Sequence, residues 1–178
     1  MHSYCIFSNK LHKKNPHRIY HDNEYGFPIK SDDELFGRLI LEINQAGLSW
    51  DTIIKKKKDI RLAFSNFNIM QIAKYGQKDI NRLMNNKSII RNKVKIHSII
   101  FNANQILELK KEYGSFKSWL DSHKEKNTNA WIKLFKQNFK FTGKEITKEF
   151  LISSAYIQGA HHEKCPIFNK IRSIQSLI

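Results

Sequence analysis

The chain has 178 residues, 40% of them hydrophobic, enough to fill the core of one domain and too apolar for a disordered chain. Lys and Arg number 31 against 16 acidic residues, a net charge of +15. That field points to a polyanionic partner, nucleic acid above all, although A- and T-rich coding would inflate Lys and Asn in the same way.

Two cysteines exclude a disulfide scaffold. No apolar run reaches the roughly 18–20 residues of a membrane span. The first residues, with His12, Lys13 and Lys14, lack an apolar signal core, so a cytoplasmic location and no membrane contact are expected.

In chain order, residues 1–28 are rich in His, Tyr and Asn and read as irregular. Ser31 followed by Glu34 is a capping-box pair that opens a helix, with Leu35, Leu39, Glu42 and Ala46 at helical spacing. Gly47 is placed to end it and Ser49 to cap the next, which carries Ile53, Ile54 and the lysine run 55–58, read as a solvated face. Shorter helices are expected at 69–74 and 78–84, and a long one over 91–112 with Val94, Ile96, Ile99, Ala103 and Ile106 on its apolar stripe, stopped by Gly114.

A short helix around Trp119 and Leu120, a polar loop at 122–129 and an amphipathic helix at 130–139 follow. Thr142 and Glu145 form a second capping pair ahead of a last helix, 144–157. Residues from Cys165 onward read as a tail. The pattern predicts an all-α protein: one unit of one or two lobes over 1–168, then a tail over 169–178.

Two chemical constellations stand out. His161 and Cys165 lie four apart, on one helical face or around one turn, and Cys5 and His21 supply a matching pair, together a Cys2His2 inventory for zinc. Spacing alone leaves two buried thiols as the plainer reading, with His12, His17 and His162 as rival ligands. Glu42 interrupts an apolar stripe, where a carboxylate is costly unless paired. By pattern alone it would pair with one of the many Lys and Arg residues.

Residues 20–28, reading YHDNEYGFP, and 41–50, reading LEINQAGLSW, resemble the two signature segments of the 3-methyladenine DNA glycosylase I family, within the helix-hairpin-helix glycosylases. The FKFTG stretch at 139–143 and the terminal His161 to Cys165 spacing match too, so the resemblance covers about residues 1–168.

The resemblance implies a helix-hairpin-helix glycosylase fold whose termini are clasped by one structural zinc on Cys5, His21, His161 and Cys165. It implies a monofunctional enzyme that flips 3-methyladenine out of alkylated double-stranded DNA and hydrolyses its N-glycosidic bond, and a monomer is expected because a duplex must reach the pocket. Glu42 falls on the family's base-recognition carboxylate and Trp50 on its stacking aromatic. Tyr20 and Tyr25 fall on further pocket walls, with Phe7 beside them. The family usually carries Trp where Tyr25 stands and Gln where Asn44 stands.

Leu48, in a tight turn, reads either as a wedge that fills the gap left by a flipped base or as a core leucine. The hairpin is expected near 86–93, with Arg91, Lys93 and Lys95 offering charge to phosphates. No Asp is identifiable as a general base, and an already cationic leaving group needs little activation.

Overall fold

A computed structural model describes residues 3–175. Among the described residues every regular element is helical: α1 (Ser3–Asn9), α2 (Pro16–Asn23), α3 (Asp32–Gln45), α4 (Trp50–Ala63), α5 (Ile69–Ala73), α6 (Gln77–Asn85), α7 (Lys93–Tyr113), α8 (Phe116–Asp121), α9 (Thr128–Asn138), α10 (Lys144–Ser153) and α11 (Phe168–Gln175), with a 3-10 turn at Ser65–Phe67. None of them is long and apolar enough to cross a membrane.

The axis of the molecule is α3. Every residue from Leu35 to Asn44 on it is buried, because α4, α7, α8 and α10 pack around it. It starts where the sequence says it should, with the Ser31 hydroxyl accepting the Glu34 amide at 3.4 Å and three acidic residues in the first turn facing the helix dipole. Ser49 caps α4 by accepting the Thr52 amide, and α7 stops at Gly114. The core is aromatic at its far end, where Phe116, Trp119, Trp131, Phe135 and Phe150 are all nearly fully buried.

Four expectations need correction. The expected irregular segment 1–28 holds, from residue 3 on, α1 and α2, the latter started by an Asn15 cap and Pro16, local signals that the lack of an apolar stripe hid; residues 1 and 2 lie outside the described residues. Thr142 does not cap α10. Its hydroxyl donates to the Phe135 and Phe139 carbonyls, and Gly143 occupies the cap without a side-chain bond.

The last predicted helix stops early. Ala155 adopts φ of 70°, and the Tyr156 and Ile157 amides turn back to the Leu151 carbonyl. The expected tail carries α11 up to Gln175, with Ile171 buried, and residues 176–178 lie outside the described residues. In addition, Val94 is 62% exposed and leaves the α7 stripe, standing in that helix's first turn.

Gly26 ties the chain's two ends together. Its φ is +77°, and a Cβ added there would lie 2.3 Å from the Cβ of Ala160. Only glycine lets residues 25–27 approach the segment ahead of His161 this closely. The Gly26 amide donates to the Ser153 carbonyl at 3.0 Å, completing the junction.

Candidate base pocket and metal centre

Cys5 on α1, His21 on α2 and the turn carrying His161 and Cys165 meet in one buried cluster, with ligand atoms all within 4.8 Å of one another. Individual separations are 3.7 Å for Cys5 Sγ to His161 Nδ1, 3.4 Å for His161 Nδ1 to Cys165 Sγ and 3.6 Å for Cys165 Sγ to His21 Nε2. A tetrahedron drawn with ordinary Zn–S and Zn–N bond lengths has edges of about 3.5 Å.

Each imidazole is also aimed by its other nitrogen. His21 Nδ1 donates to Asp22 at 2.6 Å, and Arg18 holds that carboxylate; His161 Nε2 donates to the Tyr25 carbonyl at 2.8 Å. Outer hydrogen bonds of this kind fix the tautomer that presents a lone pair to a metal.

The rival histidines are engaged elsewhere. His17 Nε2 lies 3.2 Å from Asp51, while His12 and His162 accept amides of Lys14 and Lys164. The sequence pair at 161 and 165 sits on a turn rather than a helix, with the Cys165 amide donating to the His162 carbonyl.

Next to this cluster stands an aromatic group. Tyr20 is 2% exposed, with its ring centroid 5.0 Å from that of Trp50 and 5.8 Å from that of Tyr25. The Arg38 guanidinium lies over the Tyr20 ring at 4.9 Å and donates to its hydroxyl at 2.7 Å.

Phe7 is not part of this ring contact. It is 47% exposed and packs on Tyr4 and His17, whereas Tyr4 itself meets Tyr25 edge-on at 5.6 Å. Tyr4 was legible only as one more aromatic in a segment with no recognised helix. Once α1 exists, Tyr4 and Phe7 share a face three residues apart.

Glu42 lies inside α3 at 2% exposure. The expected salt bridge does not form, because the nearest basic group on its helix, Arg38, pairs with Glu24 instead. Ser153 Oγ donates to Glu42 Oε1 at 3.5 Å, and Oε2 has no partner. Burial pushes the carboxyl up to about 8; the charge of Glu149 adds to this, and Arg38 and the Ser153 bond oppose it.

A cavity of about 580 Å³ opens beside it, lined by Glu42, Ala46, Leu48, Gly143, Lys144 and Glu149 among others. Leu48 is 41% exposed, which excludes the core-leucine reading. Gly47, at φ of +79°, makes the tight turn that presents it.

Lys95 corrects a sequence expectation. It is buried, and its ammonium donates to the Asn44 and Ala46 carbonyls at 2.8 and 2.6 Å, closing the end of α3 rather than facing a phosphate. Arg91 and Lys93 are exposed, but neither lines the cavity. The segment that does reach it is the start of α10 with Gly143 ahead of it, at the end of the 139–143 connection from α9.

The lysine run is only partly a solvated face. Lys57 pairs with Glu24, and Lys56 donates to the Lys87 and Ser88 carbonyls. Arg38, Ser153 and Glu149 are site neighbours that no sequence signal marked. Arg38 stands one turn before Glu42 on α3, whereas Ser153 and Glu149 both come from α10 and meet Glu42 only through packing.

The methyladenine glycosylase family model matches residues 11–138. DNA-3-methyladenine glycosylase 1 of Escherichia coli is 33% identical over 151 residues, spanning 74% of this chain and 81% of that protein. A solved variant of 3-methyladenine DNA glycosylase I in complex with 3-methyladenine superposes with a TM-score of 0.82 at 30% identity, covering 92% of this chain and 96% of its own. The Staphylococcus aureus 3-methyladenine DNA glycosylase I, solved for the basis of 3-methyladenine recognition, gives 0.80 at 31% identity over 88% of this chain and 93% of its own. With that match in sequence and in fold, the chain belongs to the methyladenine glycosylase family.

Proposed function

We propose that this protein is a DNA-3-methyladenine glycosylase of base-excision repair, removing the alkylated base from double-stranded DNA and leaving an abasic site. The observation that carries the reading is Glu42: a buried carboxylate with one oxygen unpartnered, beside an aromatic group and at the edge of a cavity. Binding DNA through its backbone alone would need neither that carboxylate nor the rings around it.

The chemistry follows from the charge. Methylation makes the base cationic, so cleaving the bond from the sugar carbon to the ring nitrogen sends the electron pair onto the base, which leaves neutral. Water supplies the new bond to the sugar carbon and releases a proton to solvent. Glu42 accepts hydrogen bonds from the base's polar edge and offers its charge to the cation. Tyr20 and Trp50 supply the stacking surface, with Tyr25 as a further wall and Phe7 at the outer rim, an arrangement worth about 1–3 kcal/mol per base. Leu48 is the wedge for the vacated stack. Arg91 and Lys93 serve as exposed charges for phosphates.

The Cys5, His21, His161 and Cys165 cluster fits one zinc ion in donor type, spacing and outer hydrogen bonding. Zinc with four protein ligands supplies structural cross-linking and no open site for chemistry. Elemental analysis of protein purified without added metal should give about one zinc per chain. The reading also takes the enzyme as a cytoplasmic monomer, checked by fractionation and light scattering.

Incubation with methylated DNA, followed by mass spectrometry of released bases, tests the activity. Release of 3-methyladenine is expected. No release removes the enzyme reading and leaves a DNA-binding protein; release of other alkyl bases alone moves the specificity, a shift that Tyr25 in place of the family's Trp would favour.

A further inference from the structure

Three carboxylates line the cavity beside Leu48: Glu42 from α3, and Glu145 and Glu149 from α10, of which Glu145 is exposed to solvent. Glu149 is half-buried and accepts the Tyr25 hydroxyl at 2.8 Å. Glu42 is buried with Oε2 free of any protein donor.

Neither forms an ion pair with a Lys or Arg among the described residues. Several acids elsewhere in this basic chain do: Asp22 with Arg18, Glu34 with Arg61, Asp51 with Lys55 and Asp121 with Lys117. Arg38, the guanidinium nearest to Tyr20, is committed to the Tyr20 hydroxyl, the Ser153 carbonyl and Glu24. Lys144, also on the cavity wall, is exposed and pairs with neither carboxylate.

Burial and the nearby Glu149 charge favour a proton on Glu42 while the cavity is empty, and a cation entering between the two groups draws that proton off and takes up both negative charges. A neutral ligand of the same shape does neither. The geometry points to Glu149, oriented by Tyr25, as a second anionic recognition residue: with Glu42 it selects a positively charged, ring-alkylated purine against a neutral purine of equal size. This rests on the cavity being the base site.

Glu149→Gln is the direct test, because the amide oxygen still accepts the Tyr25 hydroxyl and only the charge is lost. Wild type and variant are titrated by calorimetry with 3,9-dimethyladeninium, a permanent cation, and with its neutral 3-deaza analogue. The variant should bind the cation about tenfold more weakly and the neutral analogue within about twofold of wild type.

Tyr25→Phe keeps both charges but frees Glu149, so it should weaken the cation alone, by about threefold. Equal weakening of both probes by Glu149→Gln would make Glu149 a wall residue and overturn the inference. So would no change, or a wild type that prefers neither probe. Neither probe is cleaved, so this outcome is read separately from base release, whose absence overturns the glycosylase reading instead.

Discussion

Glu42 is held at a cost to the fold. Burial pushes its carboxyl up to about 8, from the ordinary glutamate value of 4.5, so the folded protein holds the proton that the unfolded chain gives up. Stability from that proton is therefore complete below about pH 4.5 and declines as pH rises through about 8. The groups facing it are Glu149, Arg38, Ser153 and Tyr20. Glu42→Gln removes the titration, so it should melt well above wild type at pH 9, by roughly 3–5 kcal/mol, and close to it at pH 5. Differential scanning fluorimetry across pH checks this, and a gap that does not change with pH would contradict it. The same variant should lose about 10²–10³ in single-turnover release of 3-methyladenine. Glu42 stood out in the sequence as a carboxylate on an apolar stripe, which by itself read as a salt bridge, and the family motif turned it into a base-recognition candidate. Glu149 was not, because a Glu among Lys144, Glu145 and Lys148 looks like any solvated face.

The element that matters most for function is the end of α3. Asn44 and Ala46 would leave carbonyls unsatisfied at a helix C-terminus, and the Lys95 ammonium closes both. This fixes the turn that projects Leu48. Lys95→Met should cost about 1–3 kcal/mol, a fall in melting temperature of about 2–10 °C. An unchanged melting temperature would mean that water replaces the ammonium. Leu48→Ala should slow release from duplex DNA by about tenfold or more and weaken free 3-methyladenine by much less, since a wedge acts on the vacated stack beyond its contact with the cavity. Equal loss in both assays would return Leu48 to a pocket wall. Local capping signals located α3, α4 and α7 to within a few residues. Thr142 failed as a cap because a buried hydroxyl was drawn to the Phe135 and Phe139 carbonyls instead.

At the scale of the molecule, the cluster of Cys5, His21, His161 and Cys165 joins the first two helices to the last turn. His21 directly follows Tyr20, and His161 donates to the Tyr25 carbonyl, so the cluster positions two walls of the aromatic group. Cys165→Ser should therefore lower the melting temperature and also weaken free 3-methyladenine binding, both measurable in one preparation. Loss of stability with base affinity intact would separate the clasp from the pocket.

The helical class, the start of α3 and the family motifs were fixed by short contiguous stretches: Ser31 with Glu34, YHDNEYGFP at 20–28 and LEINQAGLSW at 41–50. Local backbone bonding and local spacing act within a few residues, so the sequence carries them by itself. The family motifs already implied that His21 and His161 join Cys5 and Cys165; that Lys95 turns inward and that Glu149 shares a cavity with Glu42 were decided only by tertiary structure. Each depends on side chains from distant helices meeting where packing has removed water, and burial is what turns an ordinary Lys or Glu into part of a site.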